Sequence, residues 1–248
     1  MKRPNPRLLT VLCKKKISPH VLRLTFGGES MATFPAGAEG SYIKLMFPSD
    51  GKRPKLRTYT VRKQREEEID VDFVIHGDGG LAATWAQECP LGESILVGGP
   101  GPGTLVDPVA DWFLLAGDLA ALPALSVNLK TMPRDARGAA FIEVLSEEDK
   151  QLLDAPQGIE IHWLINPHPG KHPELLRQAV EDFEWKEGHP FVWAASEFGT
   201  MQGLRTYLKG TRGLGKEQLY LSSYWKLGIT EEEHKEAKRA DAQEHARR

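Results

Sequence analysis

Lys55-Leu56-Arg57-Thr58-Tyr59-Thr60-Val61-Arg62 decides how the rest of the chain is read. The β-branched and aromatic run from Thr58 to Val61, set between basic residues, predicts a strand. A strand's period of two puts Arg57, Tyr59 and Val61 on one face and Thr58 and Thr60 on the other. A guanidinium beside a phenol ring suits two parts of one ligand. Arginine offers a fork of donors to a phosphate, and tyrosine offers a flat surface to a heteroaromatic ring. Thr60, next to that ring, adds a backbone N–H and a hydroxyl. A flavin dinucleotide needs this combination, and an edge strand with snorkelling basic ends accounts for the same residues equally well.

Around this stretch the first hundred residues read as short strands with glycine and proline punctuation. Leu8–Leu12, His20–Phe26, Tyr42–Phe47, Ile69–Ile75 and Ser94–Gly98 join the quoted strand, and such close spacing predicts a small antiparallel barrel. One segment departs from the pattern. His76-Gly77-Asp78-Gly79-Gly80 leads into Leu81–Glu88, a short helix stopped by Pro90. A strand, a glycine-rich turn and a helix N-terminus present free N–H groups and a positive dipole end, which suits an anion. It is not a G-x-x-x-x-G-K-[ST] loop, so nucleoside triphosphate chemistry is not indicated. A glycine-rich turn before a lid helix is the plainer alternative.

Gly98-Gly99-Pro100-Gly101-Pro102-Gly103 is dense in breakers and is the expected domain boundary. Beyond it the pattern alternates. Strands are expected at Trp112–Ala116, Ala139–Leu145, Ile159–Ile165, Phe191–Ala195 and Gln218–Ser222. Helices are expected at Ala120–Lys130, Ser146–Leu153, Pro173–Phe183 and Glu197–Leu208. This predicts a doubly wound parallel sheet with its ligand at the carboxyl ends of the strands, near Ala116–Asp118 and Ala195–Glu197. No G-x-G-x-x-G fingerprint follows the first strand, so a transient nucleotide fits better than a tightly held one. From Thr230 the tail is charged, with Glu231 and Lys235 a favourable pair on a solvent-facing helix.

The full chain has 248 residues, 40% hydrophobic and 27% charged, with a formal net charge of −2. That balance gives no overall basic excess for nucleic acid. Two cysteines, Cys13 and Cys89, offer no disulfide framework and fit a reducing compartment. No run approaches the roughly 18 apolar residues of a membrane span. His168 and His172 lie among Pro167, Pro169, Gly170 and Pro173, which rules out the helix that would align them on a metal. A cytoplasmic, monomeric protein is the default.

Four stretches together resemble the siderophore-interacting proteins, the ferric-siderophore reductases of the ferredoxin–NADP reductase superfamily. They are Arg57–Thr60, Asp72–Gly80, Ala116–Asp118 with Ala121–Ala124, and Tyr224–Gly228. The resemblance implies two domains and a charged C-terminal helix: a flavin-binding antiparallel barrel over 1–106, a nicotinamide-nucleotide α/β domain over 107–228, and an extension over 229–248. It also implies FAD, with Arg57 on the pyrophosphate, Tyr59 on the isoalloxazine and Thr60 near its reactive nitrogen, Tyr59 and Thr60 being the catalytic pair. Thr58, Asp72, Val74, His76, Gly80, Ala82, Ala83 and Thr84 complete the cofactor set, and Gly117, Asp118 and Glu197 match the nicotinamide-nucleotide end. Ala83, Ala120 and Ser196 depart from the family's common Ser, Thr and Gly. The first two remove hydroxyls and leave backbone N–H groups to bind. The substrate implied is a ferric siderophore, for which Lys44, Trp225 and Lys226 are candidate contacts, and the donor is NADH, NADPH or ferredoxin. Two other classes stay open: a flavin reductase with a different acceptor, and a siderophore-binding module without catalysis.

Overall fold

The computed structural model describes residues 6–51, 53–75 and 80–247. It divides into two compact units. The first is Met1–Leu105 with Pro123–Thr131 and Glu147–Asp154; the second is Val106–Leu122, Met132–Ser146 and Ala155–Arg248.

In the first unit β1 (Arg7–Ser18), β2 (Val21–Gly27), β3 (Tyr42–Phe47), β4 (Lys55–Gln64), β5 (Glu68–Val74) and β6 (Ser94–Gly101) close an antiparallel barrel in the order β1-β2-β5-β4-β3-β6. Alternation drives the closure. Leu24, Phe26, Ile43, Leu45, Val61, Ile69, Val71 and Phe73 turn inward and are fully buried. Each such side chain contributes roughly 1.5–3 kcal/mol by leaving water. β1 runs further than its apolar start predicts, because Lys14–Lys16 keep their ladder to Leu22–Leu24, with the Lys15 and Lys16 side chains exposed. The glycine-rich run is not all linker either: β6 continues into it, and Gly101 pairs with Tyr42. A side chain at Gly101 would collide with the Tyr42 ring.

α1 (Leu81–Glu88) buries Ala82, Ala83 and Ala86 and puts Trp85 against Phe26, Phe47 and Phe73 of the barrel core. The helix expected over Ser146–Leu153 is only a 3-10 turn, Glu147–Asp149. Asp149 is drawn elsewhere, accepting from Ser18 Oγ at 2.6 Å and from the His20 amide at 3.1 Å.

The second unit holds a parallel sheet of β7 (Trp112–Gly117), β8 (Arg137–Val144), β9 (Gly158–Ile165), β10 (Pro190–Glu197) and β11 (Leu219–Trp225), in the order β11-β10-β7-β8-β9. β7 and β10 are buried along their whole length, as continuous apolar runs in a parallel sheet should be. After β7 the chain forms α2 (Leu122–Thr131), which from Pro123 onward belongs to the first unit; the second unit's helices are α3 (Glu174–Asp182), α4 (Phe198–Arg205) and α5 (Glu231–Arg247). α3 and α4 cover one sheet face through Leu176, Val180, Met201 and Leu204. Strand order reverses between β7 and β10, which makes their carboxyl ends the switch point where open α/β sheets bind ligands. Among the described residues no helix is long and apolar enough to cross a membrane.

Candidate functional site

On β4 the inner face carries Val61, fully buried, and Tyr59, whose ring centroid lies 4.3 Å from that of Phe73. Arg57 shares their parity near the start of the strand, half-buried, with one Nη donating to the Leu56 carbonyl at 2.8 Å. Thr58 faces out and accepts from Lys44 Nζ at 2.9 Å, and that lysine also stands 5.3 Å from the Tyr42 ring centroid. Thr60 pairs with Tyr42 across the ladder. On β5, Asp72 is buried and grips Arg23 in a bidentate pair, at 2.6 Å to Nε and 2.8 Å to Nη2. Both of its oxygens thus serve β2. Val74, half-buried, ends β5, and His76 lies outside the described residues.

Arg62 received no role in the sequence reading. It falls in the bulge where the β4 register against β5 shifts. Its guanidinium is half-buried and makes no hydrogen bond among the described residues, and desolvation lowers its pKa from the ordinary arginine value.

Gly80 opens α1 in an extended conformation without a side-chain cap, and no acidic residue stands in the first turn. A Cβ added at Gly80 would meet nothing within 4 Å. The methyls of Ala82 and Ala83 point into the protein, so this end offers backbone N–H groups and the positive dipole end to the space outside. Thr84 and Leu81 flank it on the outer face. At the other end Lys14 Nζ donates to the carbonyls of Gln87 and Cys89, both at 2.8 Å.

At the sheet's switch point Gly117, Asp118, Glu197 and Trp225 come together. Asp118, 3% exposed, accepts from the amides of Ala120 at 3.0 Å and Ala121 at 3.1 Å through one oxygen. Its other oxygen accepts from Ser196 Oγ at 3.1 Å and from the Trp225 indole at 2.7 Å. Burial pushes its carboxyl above the usual range while the donors pull against it, Trp225 most. Glu197 caps α4 through the amides of Gly199 and Thr200, and its second oxygen takes the Leu227 amide at 3.2 Å. Both carboxylates therefore frame this end of the sheet. Gly170, with φ +79, lies close to Trp225, Leu227 and Glu197, and a side chain there would crowd all three. Lys226 Nζ stands 4.6 Å from the Phe198 ring centroid. Glu143, near the end of β8, is buried against Asn166 at 3.0 Å; desolvation first, then the Asp118 charge, lift its carboxyl to about 7.

Known families account for both units. Residues 10–56 and 49–104 match the siderophore-interacting FAD-binding domain, and 110–228 match the siderophore-interacting protein domain. Ferric vibriobactin reductase ViuB of Vibrio cholerae is 34% identical, over 95% of each chain. The chain belongs to the siderophore-interacting protein family. Within it, the crystal structure of SipS from Aeromonas hydrophila is 33% identical, covering 97% of this chain and 98% of that one with a TM-score of 0.86. The NADPH-dependent ferric-chelate reductase of Escherichia coli is 25% identical over 88% of this chain and 92% of its own.

The residues present fit FAD. Among the described residues the α1 N-terminus has no side-chain cap, no acid in its first turn and room at the Gly80 Cβ, which suits a pyrophosphate, and β4 supplies a guanidinium, a phenol ring and a hydroxyl in one run. Arg62, Gly170 and the Asp118–Trp225 bond are what the sequence reading missed. Arg62 was within reach, being the last residue of the quoted strand; the other two depend on long-range contacts.

Proposed function

We propose that this chain is an FAD-dependent ferric-siderophore reductase, taking electrons from NADH, NADPH or ferredoxin and releasing iron as Fe²⁺. The observation that carries the reading is the open N-terminus of α1, on a barrel that matches a siderophore-interacting FAD-binding family. In this reading residues 1–106 form the FAD domain, 107–228 the nicotinamide-nucleotide domain and 229–248 an extension. FAD, when bound, accepts two electrons as hydride and passes them on singly, as ferric iron requires.

The chain's own residues bind and orient. Arg57, with the amides from Gly80 to Ala83 and the Thr84 side chain, would hold the pyrophosphate. Tyr59 sets the plane of the ring system, and Thr60 offers a donor to its reactive edge; Thr58, Asp72, Val74 and His76 complete the wall. Asp72 acts through Arg23, keeping β2 and β5 in register. Gly117, Asp118 and Glu197 form the nucleotide end, the two carboxylates by fixing the frame. Lys44, Lys226 and Trp225 meet the ferric chelate, the lysines by charge. The protein need not ligate iron, because Fe²⁺ is held less tightly than Fe³⁺ by the chelate's hard oxygen donors. Reduced thiols at Cys13 and Cys89 suit the cytoplasm as the compartment.

An absorption spectrum of the purified protein tests this, followed by anaerobic addition of each nucleotide and then a ferric siderophore. A yellow protein that bleaches and recovers, with Fe²⁺ trapped, is expected. A protein that takes up no flavin sinks the reading.

A further inference from the structure

Within the second unit, α4, β11 and α5 enclose a polar cavity of about 300 Å³. Arg205 and Lys209 reach it from α4 and the turn that follows, Ser222 and Ser223 from β11, and Lys238 and Asp241 from α5. The backbone is irregular at this point. Thr206–Thr211 is a π-helical turn, begun at Arg205, and the Arg212 amide reaches back five residues to the Tyr207 carbonyl at 3.0 Å. Turns of this kind recur at functional sites, and this one carries Lys209.

The charges lining the cavity do not balance. Asp241, with a side chain only 9% exposed, accepts from Arg205 Nη1 at 2.5 Å and from Gln202 Nε2 at 2.9 Å. Three cations stand against that one carboxylate, in a chain whose net charge is −2. Lys238 Nζ is fixed on β11, donating to Ser222 Oγ at 3.2 Å and to the Ser223 carbonyl at 2.9 Å. Arg205 makes no other side-chain hydrogen bond among the described residues, and Lys209 makes no hydrogen bond or ion pair among them. A guanidinium with unused donors and an unpaired ammonium therefore share one concave site.

We propose that this cavity binds a phosphate group, as the free ion or as the phosphoryl group of a small monoester. The guanidinium offers a fork of donors, the lysines offer point charges, and the Ser222 hydroxyl adds a further donor, a set that a tetrahedral oxyanion takes. Three cations less Asp241 leave two charges, which a phosphate of about −1.5 to −2 balances and a single carboxylate does not. Water takes about 30 Å³ in the liquid, so the cavity has room for a carried group beside the ion. Bound there, the dianion links the end of α4 to α5 across β11.

The test is calorimetric titration of the full chain with inorganic phosphate and with glycerol 3-phosphate, at ionic strength held constant with sodium chloride. One-to-one binding with a Kd at or below about 1 mM is expected. Lys209→Ala removes an exposed side chain and should weaken binding at least about tenfold, with flavin content and KM for the nicotinamide nucleotide unchanged. Amide resonances of Ser222 and Ser223 should shift as phosphate is added. Tighter binding of the ester would identify a phosphorylated metabolite as the ligand, and equal binding would identify the free ion. Wild-type protein that shows no saturable binding overturns the proposal. A Lys209→Ala variant that binds as the wild type does also overturns it, as do resonance shifts confined to the α1 N-terminus, which would place the phosphate in the cofactor's site.

Discussion

A carboxylate sealed inside a protein needs donors, and Asp118 has four, two on each oxygen. Asp118→Asn tests that arrangement with almost no change in shape. Whichever way the amide turns, its NH₂ faces two donors and leaves buried N–H or O–H groups without an acceptor. The expected loss is about 1–3 kcal/mol for an unsatisfied buried group, read as a lower urea midpoint with unchanged m-value. An unchanged midpoint would mean that the four contacts add nothing to stability. Residues like this mark the limit of sequence reading. Asp118, Glu197 and Asp72 are recognisable as polar residues at strand ends or in a barrel wall. Their partners Trp225, Leu227 and Arg23 lie far along the chain, so no local pattern shows that their oxygens are already engaged. Arg57, Tyr59 and Val61 were legible because a strand's period of two is a local property.

At the scale of elements, one spacing, a hydroxyl residue followed three positions later by an acid, has two outcomes. Thr230-x-x-Glu233 closes a capping box on α5, with Thr230 N donating to Glu233 Oε2 at 2.7 Å and Glu233 N to Thr230 Oγ1 at 3.3 Å. Ser146-x-x-Asp149 opens no α-helix, because Ser18 and His20 take the aspartate. Helix α5 was expected to face solvent, and along one side it docks instead. His234 is buried with Nε2 2.9 Å from Ser223 Oγ, and Lys238 Nζ donates to the Ser223 carbonyl at 2.9 Å. Desolvation first, then the Lys238 charge, lowers the His234 pKa from 6.5 to about 4. Between those values the unfolded chain binds the extra proton, so stability from this group rises with pH across that window and is lost on acidification. Glu143 acts in the opposite sense. Its carboxyl rises from 4.5 to about 7, so the native state binds more protons in that range and stability from this group falls as pH rises through it. Urea midpoints at pH 5 and 7 separate the two. His234→Gln should flatten the acid loss, and Glu143→Gln should flatten the loss toward neutrality. If neither substitution changes the pH profile, both assignments fail.

For the whole molecule the question is how an acidic protein attracts an anionic chelate. The net charge of −2 is unfavourable at long range, so attraction has to be local. In the reading proposed above, Lys44 and Lys226 are its source; each is set over an aromatic ring, Tyr42 at 5.3 Å and Phe198 at 4.6 Å. A ring beneath an ammonium limits its motion while leaving most of its charge effective. In the wild type, KM for an anionic ferric chelate should therefore rise with ionic strength, because exposed charges are screened over about 8–10 Å near physiological salt. Lys44→Ala with Lys226→Ala should raise KM about tenfold at low salt, equivalent to about 1.4 kcal/mol, and remove most of the salt dependence. FAD content and turnover with a neutral acceptor such as a quinone should stay the same, since neither lysine is assigned to the flavin. A double variant with wild-type KM and wild-type salt dependence would assign the chelate to other residues. A variant that loses FAD as well would make Lys44 part of the cofactor's wall, through its bond to Thr58.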